Sequence, residues 1–279
     1  MKHHSNQRRM SFTPTPRRTS VFEGTPLINK PDYGLDCPRL IRRFFICAIL
    51  LLSLGTILVA CGTAHSLPFL PAIGLATIGL GALCVLVVAL MVRSSRRGKH
   101  HVRDVVLDEL ELRGNEKVLD AGCGRGLMLL GAAKRVEEGR VVGVDIWSQE
   151  DQYKNAPENT LANAVAEGIP LDRVRLQDGD LRDLSFIPSY SFDVVLSSLT
   201  IHSIRSREGR RQAIAEMVRV LRPGGRIALL DLWHVGECAQ MLEQTGWVVQ
   251  VRRSGIYWSM FPPVRVVYAV KREWGYAEV

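Results

Sequence analysis

EKVLDAGCGRGLMLL, residues 116–130, is an apolar strand that runs through Asp120 into Gly122, Gly124 and Gly126 and then straight into a helix. Glycines let the chain turn sharply and bring its backbone to van der Waals distance of a ligand. A buried strand, a glycine turn and a helix in that order mark an α/β domain that binds at the carboxyl end of a parallel strand. Nicotinamide-binding folds use a similar turn spaced G-x-G-x-x-G. Here the third glycine stands one residue too early, Leu127 holds the place of the last glycine, and Asp120 sets a carboxylate where a pyrophosphate would be repelled.

Outward from this stretch, β-branched runs alternate with amphipathic segments, the pattern of a parallel sheet covered by helices. Strands are predicted at 116–121, 140–146, 174–178, 192–198, 226–232, 247–253 and 264–271, and helices at 101–113, 126–137, 158–167, 207–221 and 237–245. VVGVDIW then places Asp145 nineteen residues past Gly126, where a carboxylate can accept hydrogen bonds from ribose hydroxyls. RLQDGDLRDLSF offers Asp180 with Leu181 beside it, SFDVVLSSLTIHSI forms a strand and its loop, and EMVRVLRPGGRIALLDLW a helix, a turn and a further strand.

These five motifs, in this order and spacing over about residues 101–279, resemble the class I S-adenosylmethionine (SAM)-dependent methyltransferases, and within them the methyltransferase type 11 domain. The resemblance implies an α/β, Rossmann-like, doubly wound sheet of seven strands in the order 3-2-1-4-5-7-6, the last antiparallel, with SAM lying across the carboxyl ends of the first strands. It implies that Gly122, Gly124 and Gly126 cradle the cosubstrate, that Asp120 helps hold the methionine ammonium, that Asp145 takes the ribose and that Asp180 accepts from the adenine amine. Ile146 becomes the stacking contact for adenine, and Leu181 and Ser197 join the cofactor-binding set. Read without the resemblance, Asp120 is a turn cap and Asp180 an Asx turn. No metal is expected.

Charge is distributed unevenly. Residues 1–43 hold nine Lys or Arg against three acids, Arg93 to Lys99 add four bases, and residues 100–279 hold 23 bases against 25 acids. The net charge of +8 therefore flanks an apolar region instead of covering the domain, which points to anionic lipid and away from nucleic acid. Phe44 to Ala64 and Leu67 to Val92 each lack Asp, Glu, Lys and Arg and each is long enough to span about 30 Å of hydrocarbon as a helix. Arg39, Arg42 and Arg43 precede the first run and Arg93, Arg96, Arg97 and Lys99 follow the second, whereas the turn between them has no Lys or Arg. The positive-inside rule then puts both ends, and the catalytic domain, in the cytosol. The alternative is a buried core hairpin. The organisation predicted is a disordered basic tail over 1–43, a transmembrane hairpin over 44–92, a basic juxtamembrane linker over 93–100 and the methyltransferase domain over 101–279. Three Thr-Pro pairs, at Thr13, Thr15 and Thr25, make the tail a candidate for phosphorylation. The six cysteines show neither disulfide nor metal-ligand spacing.

Methyl transfer from a sulfonium needs alignment first and a base only where the acceptor must lose a proton. His202, in the loop after the fourth strand, is the best-placed base, and His234 the second. The alternative for each is a hydrogen-bonded loop histidine. With few insertions to wall an acceptor pocket, the segment GIYWSMFPP at 255–263 is a candidate for substrate face, interfacial anchor or hairpin packing. The expected function is methylation of a small, hydrophobic or lipid-soluble acceptor. The alternatives are a protein methyltransferase and a SAM-binding sensor or scaffold without turnover.

Overall fold

The computed structural model describes residues 30–149, 152 and 155–273. Most of the predicted basic tail, with its Thr-Pro pairs, lies outside the described residues.

Two helices come first, α1 (Pro38–Ala64) and α2 (Leu70–Arg93). They run antiparallel on a seam of small residues. A side chain at Gly55 would come within 2.7 Å of the Gly74 carbonyl, and one at Gly74 within 2.7 Å of the Gly55 carbonyl, so only glycine permits this backbone approach. Elsewhere the hairpin carries apolar side chains outward, among them Phe45, Leu50, Ile57, Leu75 and Leu86. The apolar stretches of the two helices are 11% and 17% buried, where a core helix of a soluble domain is mostly buried.

Residues 93–100, expected as a linker, are helical instead. A π segment, Ser94–Gly98, joins α2 to α3 (Lys99–Glu109), so that Leu70–Glu109 is one helix of 40 residues, about 60 Å long at 1.5 Å per residue. π turns occur mostly as single-turn bulges inside α-helices. Here Ser94 Oγ accepts from the Phe261 amide at 2.8 Å, Ser95 Oγ accepts from the Asp36 amide at 3.0 Å, and both serines are buried. A side chain at Gly98 would run into the backbone of Ser259.

The remaining elements are β1 (Lys117–Ala121), α4 (Leu127–Arg135), β2 (Arg140–Asp145), α5 (Pro157–Ala166), β3 (Val174–Asp178), β4 (Phe192–Ser198), α6 (Arg207–Val220), β5 (Leu221–Asp231), α7 (Val235–Gln244), β6 (Val248–Arg253) and β7 (Arg265–Lys271). The sheet order is β3-β2-β1-β4-β5-β7-β6, with β7 antiparallel to both neighbours, as the resemblance implied. Strand β5 begins five residues earlier than predicted: Leu221 pairs with Phe192, the register slips across the RPGG turn, and regular pairing resumes at Arg226 with Val194.

Period-two alternation sorts the strand residues between two cores. Val118, Val194, Leu196, Ala228 and Leu230 pack under α3, α4 and α5, while Leu119, Val195, Ile227 and Leu229 pack under α6 and α7. Helix α3 feeds the amino end of β1, and Arg226, at the amino end of regular β5, donates to the Leu110 and Glu111 carbonyls. Its opposite end, at Lys99, therefore stands at the carboxyl edge of the sheet.

Candidate active site

The glycine loop follows β1 with φ of +84° at Gly122, +49° at Gly124 and +86° at Gly126, all in the left-handed region that glycine alone enters at little cost. Two further features hold the turn. The Gly122 and Cys123 amides donate to the Val144 carbonyl at 2.8 and 3.1 Å. From α5, Thr160 Oγ1 donates to the Gly124 carbonyl at 2.7 Å and Asn163 Nδ2 to the Arg125 carbonyl at 2.9 Å.

Asp145 ends β2 against this loop. Its Oδ2 accepts from the Gly124 amide at 2.7 Å, and its Oδ1 accepts from the Trp147 amide at 2.7 Å and Asn155 Nδ2 at 3.1 Å. Ile146, next in the chain, is 63% exposed on the same edge. Asp120 is buried under the loop, faced by the Leu129 amide but with no hydrogen bond of normal geometry to either carboxylate oxygen among the described residues. Burial, reinforced by the charge of Asp145, pushes its pKa up to about 7. A buried carboxylate without a partner is costly, and a cationic ligand above the loop relieves that cost. Among the described residues, Asn155 Oδ1 is buried and unpartnered as well. These residues fit SAM, whose ammonium and sulfonium are cations and whose ribose presents two hydroxyls.

The other cofactor candidates fall differently. Asp180 forms an Asx turn with the Arg182 amide at 2.9 Å and an ion pair with the same arginine, whose hydrogen bond holds the carboxyl below its usual range. The side chain of Leu181 is buried in the core under α6, so a contact with a nucleotide would run through its backbone. Ser197 is buried and donates to the Ala121 carbonyl at 2.8 Å, tying β4 to β1.

On the far side of the loop, Thr200 Oγ1 donates to the Gly122 carbonyl at 3.2 Å and the Ser198 carbonyl at 2.9 Å. His202 follows. Its Nδ1 lies 2.7 Å from Asp231 Oδ1, and its amide donates to Asp231 Oδ2 at 3.1 Å. Asp231, the last residue of β5, is buried. A carboxylate beside Nδ1 favours the tautomer protonated there and orients the ring. His234 instead turns back to Glu237 at 3.1 Å. Trp147, Leu199 and His234 adopt φ of +57°, +53° and +62° just past the carboxyl ends of β2, β4 and β5, so three left-handed non-glycine residues share this edge.

The N-terminal segment reaches the site too. Asp32 pairs with Arg125 at 2.9 Å and exchanges hydrogen bonds with Asn163, while buried Lys99 donates to the Tyr33 and Gly34 carbonyls and to Asp36. Residues 30–36, predicted as part of a disordered tail, thus fasten the glycine loop to the root of the long helix. Thr160, Asn163 and this strap carry no motif in the sequence, and Asp231, although it lies within the fifth motif, is not singled out by it. A cavity of about 470 Å³ among Arg113, Glu116, Arg135, Glu138, Arg222 and Arg226 lies at the opposite edge of the sheet and is an ionic cleft, not the site.

Comparison with known proteins points to the same fold. Residues 119–229 match the family model described as a methyltransferase domain. A nocamycin O-methyltransferase from Saccharothrix syringae is 39% identical over 125 residues, 44% of this chain and 40% of that protein. A 2-phytyl-1,4-naphtoquinone methyltransferase from Thermosynechococcus vestitus is 34% identical over 140 residues, 49% of this chain and 56% of that one. The chain thus spans about half the length of these relatives or less. Among solved structures, an O-methyltransferase family protein from Burkholderia thailandensis superposes with a TM-score of 0.53 at 16% identity, covering 66% of this chain and 59% of the other, which shows a shared fold. The sheet and its glycine loop form a class I SAM-dependent methyltransferase domain.

Proposed function

We propose that the chain is a membrane-anchored methyltransferase that moves the methyl group of SAM to a small, apolar acceptor, which gives up a proton as it is methylated. The observation that carries this reading is the meeting, on one edge of the sheet, of a glycine loop over a fully buried carboxylate, Asp120, with an imidazole backed by a buried carboxylate, His202 on Asp231.

SAM supplies an electrophilic methyl whose sulfur keeps the electron pair of the broken bond and departs as a neutral thioether. Asp120 neutralises the ammonium, Asp145 fixes the ribose, and the edges of Ile146 and Asp180 frame the base. His202 takes the acceptor's proton at Nε2 as the new bond to the methyl carbon forms, and Asp231 stabilises the imidazolium that results. Alignment by the loop supplies the remainder of the acceleration.

Three features support an apolar acceptor. Only Leu232 to His234 separates β5 from α7, so the chain provides few polar walls of its own. Two long helices with outward apolar side chains and basic ends are suited to span a bilayer, with both termini on the cytosolic side and contact with anionic lipid. The relatives include enzymes named for a naphtoquinone and for nocamycin.

The test is release of S-adenosylhomocysteine by the full-length protein given SAM and, in turn, the organic-soluble, water-soluble and protein fractions of a cell extract. Stimulation by the organic-soluble fraction is expected. Stimulation by the protein fraction alone would make it a protein methyltransferase, and SAM binding without release from any fraction would make it a sensor.

A further inference from the structure

We infer that the carboxyl edge of the sheet, which carries the active site, lies against the bilayer, with the β6–β7 loop seated in its interfacial layer so that an acceptor enters from the lipid. This rests on the membrane-anchored reading above and adds an orientation to it.

The first step is topological. Helix α3 runs antiparallel to β1, so Lys99 stands level with the glycine loop, as the contacts of Lys99 with Tyr33 and Gly34 and of Asp32 with Arg125 require. The helix continues without a break from Lys99 back to Leu70. The apolar hairpin therefore rises from the carboxyl edge, and its opposite edge points to water.

The second step is rigidity. A flexible linker would let the domain tumble beneath its anchor. Here the helix root is gripped from two sides, by the N-terminal strap through Ser95 and Lys99 and by the β6–β7 loop through Ser94 and the close approach of Gly98 to Ser259. Orientation of the hairpin then fixes orientation of the site.

The third step is the chemistry of the loop. Residues 254–264, SGIYWSMFPPV, contain no charged residue, while Arg253 and Arg265 stand exposed at its two ends. Met260 is buried and anchors the loop to the core, whereas Trp258 is 71% exposed and Ile256 41%. Trp233, 63% exposed, lies on the same edge, since Asp231 pairs with Arg265 in the sheet. An apolar tip with tryptophans and a basic rim matches the layer between anionic headgroups and acyl chains. The same register sets the loop one residue from Asp231, and hence beside His202. An acceptor passing between the loop and the base would leave the membrane only at its reactive end.

The experiment uses the tryptophans as depth probes, since none of the five lies between Phe44 and Val92. The full-length protein is reconstituted into vesicles of phosphatidylcholine and phosphatidylglycerol, with and without lipids brominated near the headgroup end of the acyl chain. Flotation with the vesicles and resistance to alkaline carbonate report insertion of the hairpin independently. The expected result is an inserted protein whose tryptophan emission is quenched by the brominated lipid, with the larger part of that quenching lost in Trp233→Phe/Trp258→Phe. Inserted protein with no quenching, or with quenching that the double substitution leaves intact, overturns the orientation while sparing the anchor. Protein stripped by carbonate overturns the anchor and the orientation together.

Discussion

His202 and Asp231 meet by side chain and backbone at once: Nδ1 lies 2.7 Å from Oδ1, and the His202 amide donates to Oδ2 at 3.1 Å. The carboxylate is buried at the end of β5 and the histidine sits in the loop after β4, so the parallel pairing of β4 with β5 brings the two together. Asp231→Asn keeps the shape but removes the charge that steadies an imidazolium. Turnover is expected to fall by about 10²- to 10⁴-fold in this variant and in His202→Asn, at unchanged SAM affinity. Turnover by label transfer and affinity by calorimetry check this, and undiminished turnover in either variant removes the base.

Asp120 sets a pH dependence whose sign can be worked out. Its pKa of about 7 in the folded domain lies above the ordinary 3.8, so between these values the folded state holds a proton that the unfolded chain has released. Stability contributed by this proton is present at low pH and is lost as pH rises through 7. Asp120→Asn should therefore melt higher than the native protein above pH 7, by up to a few kcal/mol in unfolding free energy. Binding of a cation requires the ionised form, so SAM affinity of the native protein should weaken below pH 7 by up to about tenfold per pH unit. Flat affinity between pH 5 and 8 would separate Asp120 from the cosubstrate.

Asp145 and Asp180 are predicted to differ. Asp145 accepts from Gly124, Trp147 and Asn155 and shapes the loop itself. Asp145→Ala should reduce SAM affinity at least about tenfold, the equivalent of about 1.4 kcal/mol, with the domain still folded by circular dichroism. Asp180 is engaged by Arg182, and Asp180→Ala should cost less. Equal affinity of native protein and Asp145→Ala would refute the ribose role.

The strap gives a fourth prediction. Lys99→Met leaves the Tyr33 and Gly34 carbonyls and Asp36 without their cation, at a cost of about 1–3 kcal/mol. Residues 30–36 should then become accessible to limited proteolysis and SAM affinity should drop several-fold, while turnover at saturating SAM is kept. Unaltered SAM affinity would mean that Asp32 does not hold Arg125 in its working position.

The contrast between these residues shows what was readable in the sequence. Gly122 to Gly126 and Asp145 sit in a local pattern, and the strand runs are apolar enough to order the sheet by resemblance. The His202–Asp231 pair is a product of strand adjacency across 29 residues of chain and has no local pattern to read. Arg93 to Lys99 looks like a solvated linker because its charges dominate the composition, yet the helix continues through it, with Ser94, Ser95 and Lys99 buried by partners distant in sequence. Tyr33 lies in a stretch of tail-like composition and is nonetheless buried, with its hydroxyl donating to Glu167 at 2.8 Å. Ser197, which the resemblance placed in the cofactor-binding set, lies within β4 and has its hydroxyl taken by the Ala121 carbonyl.

The most direct measurement is label transfer by the detergent-solubilised full-length protein given methyl-labelled SAM and a whole-cell extract, run beside His202→Asn, with the label then partitioned between organic, aqueous and protein fractions. Label in the organic fraction that is lost with the variant is the result expected of a membrane-anchored enzyme with a proton-yielding apolar acceptor. Label confined to the aqueous or protein fraction, or organic label undiminished in the variant, would contradict it.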